Sequence, residues 1–207
     1  MSRASIHPIE VRSYAILRSR LDTSGLPAWT RAVVERIVHA SADLDYATDL
    51  CCDEDSLAAG AAALAAGAPV VADVHMVAAG ITTRAVTCRV RDERAGDLAA
   101  NLGLTRSAAA IRLAYSDVGP GAVWVVGCAP TALDEIIQLD VAPALVIGLP
   151  VGFVGAAESK ARLRHSGLPA VSNVSEKGGS AVAAAALNAL LYGDAVAHSD
   201  SATEDHA

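Results

Sequence analysis

His39 lies in the second of the helical segments that the sequence suggests, running from about residue 28 to residue 42. Val33, Val34, Ile37 and Ser41 share the face of that segment expected to pack inward, and His39 falls almost opposite, near Glu35, Arg36 and Asp43. Two readings stay open for such an imidazole. It is an exposed histidine in ordinary contact with carboxylates one turn away, or it is a proton donor facing a cavity built between subunits. In the second reading Glu35, Asp43 and the nearby helix C-terminus would all favour imidazolium, and histidine switches protonation most readily near neutral pH. The run 148–160, GLPVGFVGAAESK, places three glycines between an expected strand and an expected helix. Helix-start amides there would face an anion, yet the spacing fits neither G-x-G-x-x-G nor G-x-x-x-x-G-K-[ST]. It is weak as a nucleotide motif and stays open as a carboxylate-binding or interface turn.

Charge and composition narrow the chemistry. The 207 residues carry a net charge of −7 and only 3% aromatics, which argues against nucleic acid as a partner, whether by basic footprint or by base stacking. Of the sixteen cations only Lys160 and Lys177 are lysines. Arginine forks pair carboxylates with two hydrogen bonds and would suit a polycarboxylate ligand; alanine is equally abundant, so composition alone favours a general bias. Cys51, Cys52, Cys88 and Cys128 form no C-x-x-C pair, and the six histidines show no H-x-x-x-H or H-E-x-x-H spacing. No protein-held metal is expected, the thiols should be reduced, and no cofactor is called for. The longest apolar run, 60–72, contains Gly67 and Pro69 and is too short to span a bilayer. Arg12, Arg18 and Arg20 interrupt any secretory pattern, so no membrane partner and a cytoplasmic location are expected.

The elements that must position these groups alternate along the chain. Helices are expected over about 9–21 and 28–42, and over an alanine-rich stretch capped by Asp53 or Asp55 and ending at Gly67. Short apolar runs at 70–72, 123–126, 144–147 and 170–172 read as buried strands, with helices opening at Pro130 and over 155–164 and 180–191. Strands separated by helices predict a three-layer α/β/α fold with a mainly parallel central sheet. One domain over 1–192 is expected, followed by a disordered acidic tail, 193–207. Ligands of such folds bind beyond the carboxyl ends of the strands, which directs attention to the loops from Asp73, at 127–131 and at 148–159.

Seven segments together are recognisable: RSYAIL at 12–17, RIVHA at 36–40, DVHMV at 73–77 with GIT at 80–82, Asn101 with TRSAAA at 105–110, APTAL at 129–133, PVGFVGAAESK at 150–160, and GGS at 178–180 with AALN at 185–188. In combination they resemble the precorrin-8X methylmutase family, including its cobalt-precorrin-8 branch, over roughly residues 9–191. The resemblance implies an isomerase that moves a methyl group from C11 to C12 of the tetrapyrrole precorrin-8X, or of its cobalt form, in corrin biosynthesis. It implies a homodimer with substrate bound at the subunit interface. It places the catalytic histidine, donor or acceptor of a proton, on His39, and substrate contacts on Ser13, Arg36 and Arg106, with Arg12, Thr82 and Gly152 as further candidates. Such a shift needs an oriented macrocycle and one well-placed proton rather than a nucleophile or a metal ligand. A non-catalytic corrinoid carrier would share the pocket without needing the proton donor. The chain departs from the family at Cys128, where asparagine is common, and in a shorter stretch from Gly80 to Cys88.

Overall fold

The structure, a computed structural model, describes residues 7–200, with side chains through Tyr192. In chain order its elements are α1 (Pro8–Arg20), α2 (Ala28–Ser41), α3 (Tyr46–Asp49), β1 (Leu50–Cys52), α4 (Glu54–Ala65), β2 (Val70–Ala72), α5 (His75–Gly80), β3 (Val86–Thr87), α6 (Glu93–Leu102), α7 (Arg106–Val118), β4 (Val123–Val126), α8 (Pro130–Leu139), β5 (Leu145–Gly148), α9 (Ala156–His165), β6 (Ala170–Asn173) and α10 (Ser180–Asp200). The strands form one sheet in the order β1-β6-β5-β4-β2-β3. Only β1 runs antiparallel to its neighbour; the other four pairings are parallel.

Each central strand is buried on both faces, and its residues divide between two cores with a period of two. Val70, Ala72, Val123, Val125, Leu145, Ile147 and Val171 face a core shared with α2, α4, α5 and α10. Val71, Trp124, Val126 and Val146 face the other core, with α7, α8 and Leu163 of α9. The three-layer expectation therefore holds. The sequence reading lacked β1 and β3, edge strands of three and two residues with no alternating pattern of their own. Asp53, rather than Asp55, caps α4 by accepting from the Ser56 amide at 2.9 Å. The acidic tail expected over 193–207 lies, in its side chains and beyond Asp200 in its backbone, outside the described residues; α10 is assigned through Asp200.

Helix α2, which carries His39, is held near both ends. Its N-cap, Pro27, has no side-chain acceptor to offer. The Glu54 carboxylate supplies it instead, accepting from the amides of Trp29 and Thr30 at 2.9 Å each; a lost cap costs about 1 kcal/mol. Beyond its last turn, Asp43 accepts from Lys177 Nζ at 2.8 Å. No described helix is long and apolar enough to cross a membrane.

Candidate active site between α1 and α2

Helix α1 is weakly amphipathic except along one stripe. Glu10, Ser13, Tyr14 and Leu17 follow the i, i+3, i+4, i+7 spacing that places side chains on one face. Leu17 is buried, while the three polar members reach the end of α2 that carries Arg36 and His39. Ser13 Oγ lies 2.9 Å from His39 Nδ1. The Tyr14 ring stacks on the imidazole, centroids 4.8 Å apart and planes within 9°. Arg36 Nη1 donates to Glu10 Oε1 at 2.8 Å and to the Tyr14 hydroxyl at 3.4 Å. The Arg36 guanidinium also lies over the Tyr192 ring at 5.9 Å, and Tyr192 OH is 3.1 Å from Thr82 Oγ1. Ser13, Arg36, His39 and Thr82 thus join one connected cluster.

The expected electrostatics of His39 need correction. Its pKa is held below the usual histidine value, first by burial and then by the Arg36 charge, with Glu10 pulling the other way. Neither Glu35 nor Asp43 supports imidazolium, because both face elsewhere. Glu35 is buried and takes a two-pronged bond from Arg18, at 2.9 Å to the closer nitrogen, and another from Thr23 Oγ1 at 2.6 Å. Asp43 is engaged by Lys177. A helical wheel places these carboxylates one turn from His39 but does not reveal which cations the rest of the fold brings to them. With Ser13 at Nδ1, Nε2 is the ring nitrogen left to meet a reacting atom.

Other expected contacts lie elsewhere. Arg12 is exposed on α1 and makes none of the cluster's contacts. Arg106 opens α7, on the opposite face of the sheet from α2, with its guanidinium over Gly96 and Nη1 3.5 Å from the Asp92 carbonyl. Thr105 caps that helix through the Ala108 amide, as its position before Arg106 suggests. Gly152 sits at φ 140 and gives its amide to Glu176 O at 3.1 Å, so that amide is committed within the protein rather than turned to an anion. Around it the 150–155 turn exposes Phe153 and Val154, at 93% and 89%.

Two buried charged groups that the sequence reading did not single out shape the loops at the carboxyl ends of the strands. Asp73 follows β2 and accepts from the amides of Gly127, Cys128 and Ala129 at 3.1, 2.8 and 2.9 Å. The contact at position 128 is made by the backbone amide and does not depend on which side chain stands there. Lys160, in α9, is fully buried and donates to Asn173 Oδ1, Ser175 O and Lys177 O at 2.8, 2.5 and 2.6 Å. Asp49 binds the same segment, a strap over 173–178 between β6 and α10, accepting from the amides of Val174 and Ser175 and from Asn173 Nδ2. The strap then passes against the β5 loop so closely that a Cβ at Gly178 would collide with the carbonyls of Leu149 and Pro150.

Comparison with known proteins identifies the family. A family model described as precorrin-8X methylmutase matches residues 8–193. The chain is 42% identical over 191 residues to the precorrin-8X methylmutase of Pseudomonas aeruginosa, covering 86% of this chain and 91% of the relative. It is 39% identical over 163 residues to the cobalt-precorrin-8 methylmutase of Methanocaldococcus jannaschii, 77% of each. The crystal structure of the precorrin-8X methylmutase of Thermus thermophilus superposes with a TM-score of 0.83 at 32% identity, covering 90% of this chain and 96% of that one. On a family match spanning α1 to α10 and on these relatives, the chain belongs to the precorrin-8X methylmutase family.

Proposed function

We propose that His39 carries the proton transfer of the family's reaction, migration of a methyl group from C11 to C12 of precorrin-8X or cobalt-precorrin-8, with Ser13 and Arg36 as its immediate partners. Family membership makes the protein an isomerase of cobalamin biosynthesis. The observation that carries the assignment of the site is the Ser13–His39–Tyr14–Arg36 cluster: an imidazole fixed on one edge, with a guanidinium on the preceding turn of its helix.

The residues divide the work. Arg36 binds a carboxylate arm of the macrocycle, and Thr82 lines the same side. His39 is depressed first by burial and then by the Arg36 charge; a carboxylate docked on Arg36 offsets the second of these and in that measure raises the proton affinity of the imidazole. His39 then places its proton on the ring from Nε2, making the ring electron-poor where the methyl arrives, and the same nitrogen takes a proton back once the methyl has moved, so the net change is an isomerisation. One positioned acid of this kind contributes about 10²–10⁴ in rate.

A homodimer completes the reading. Phe153, Val154 and Val151 on the β5 loop and Ile9, Val11 and Ile16 on α1 are exposed, a distribution suited to coverage by a second copy. Arg106 lies across the sheet from His39 within one protomer, the arrangement that a pocket shared between two subunits would need. Incubation with precorrin-8X, and separately with its cobalt form, should change the chromophore permanently and leave a product that survives denaturation. A spectral change that reverses when the protein is denatured would mark a carrier and contradict the proposal.

A further inference from the structure

We infer that Tyr14 is a positioning residue for His39: its ring sets the plane of the imidazole, and its hydroxyl ties that plane to the guanidinium of Arg36. The inference rests on the proposed role of His39.

Ser13 alone leaves one freedom. A single contact at Nδ1 fixes one edge of the imidazole but allows the ring to tilt about it, which would swing Nε2 away from its target. The Tyr14 stack, at 4.8 Å and 9°, removes that tilt. Tyr14 is in turn held from both ends. Its hydroxyl lies 3.4 Å from Arg36 Nη1, and the Arg18 guanidinium carbon is 5.8 Å from its ring centroid. Arg18 is anchored by the buried Glu35 carboxylate. A path of contacts therefore runs from a buried anion through Arg18 and Tyr14 to the imidazole. Burial raises the Tyr14 pKa, so the phenol stays protonated. Adjacent residues of one helix thus supply the two constraints that an imidazole needs, edge and plane.

Three variants and one spectrum test this in the full-length protein. In the wild type, ring protons of His39 should resonate upfield of the other histidines because of the Tyr14 ring current. Tyr14→Leu should abolish that shift and lower kcat about tenfold, the size expected when a reacting group is misplaced by a fraction of an ångström, with KM nearly unchanged. Tyr14→Phe, which keeps the ring, should retain the shift and restore kcat to within about twofold. The inference is overturned if the wild-type His39 resonances show no upfield shift, if Tyr14→Leu turns over as the wild type does, or if Phe and Leu lose kcat equally. His39→Ala, run beside them, separates the two levels: an active His39→Ala defeats the proposed function, whereas an inactive one beside an unimpaired Tyr14→Leu defeats the role of Tyr14 alone.

Discussion

Two polar clusters meet near the C-terminal end of α2, and they are satisfied in opposite ways. On one side Lys160 is wholly buried with three oxygen acceptors for its three N–H groups, and Asp49 accepts from two amides, an asparagine and the Ser175 hydroxyl. On the other, Ser13, Tyr14, Arg36 and His39 are all partly exposed, and Arg36 directs the same nitrogen, Nη1, at both Glu10 and Tyr14. A buried charge with every bond made cannot answer a ligand without breaking one; it can only hold loops in place. A half-exposed cluster can. The same helix end is therefore braced by one cluster, and the other is the one to which the proposed chemistry is assigned.

The sharpest way to break this contrast is to remove the brace. Lys160→Met leaves the buried Asn173 Oδ1 without its donor and takes the charged donor from Ser175 O and Lys177 O, which keep only Asn173 Nδ2, and should lower the unfolding free energy by about 3 kcal/mol in urea titration. A loss below about 0.5 kcal/mol would show that the strap does not depend on it. Arg36→Lys should do the reverse, leaving the urea midpoint nearly unchanged while raising KM about tenfold, because an ammonium cannot reproduce the planar fork. An unchanged KM would remove Arg36 from substrate binding. Smaller still, Ser13→Ala should reduce kcat by about fivefold, the loss of roughly one neutral hydrogen bond, with no measurable change in stability.

The smallest effect is a shift in a titration curve, and its sign is the informative part. His39 should titrate below the ordinary histidine value in the free protein. The acid form is then present only on the low side of that midpoint, so donor-limited kcat/KM should fall as pH rises through it. Removing the Arg36 charge with Arg36→Met should raise the midpoint, and Glu10→Gln should lower it, because the first depresses and the second supports the imidazolium. Midpoints that move in the opposite directions would mean that the Arg36–Glu10 pair does not govern His39.

The sheet and its layers were legible because four short apolar runs, each bounded by turn residues, admit little but buried parallel strands. Two features escaped for physical reasons. Edge strands such as Val86–Thr87 are paired on one side only and too short to show a pattern. The environment of His39 depends on partners far along the chain: Glu35 is claimed by Arg18 and Thr23, Asp43 by Lys177, 134 residues away. Local spacing predicted the position of the imidazole on its helix and misjudged the direction in which its surroundings shift its pKa. The Glu10, Ser13, Tyr14 stripe was visible as a periodicity in α1, whereas nothing local marked Tyr192 as a partner of Arg36 and Thr82.

The central claim is that one imidazole moves the proton on which methyl migration depends. It is tested most directly by incubating purified His39→Ala with precorrin-8X while measuring conversion and product binding in the same sample. The account predicts conversion reduced by at least about a hundredfold, with product still bound. Wild-type turnover by that variant would contradict it.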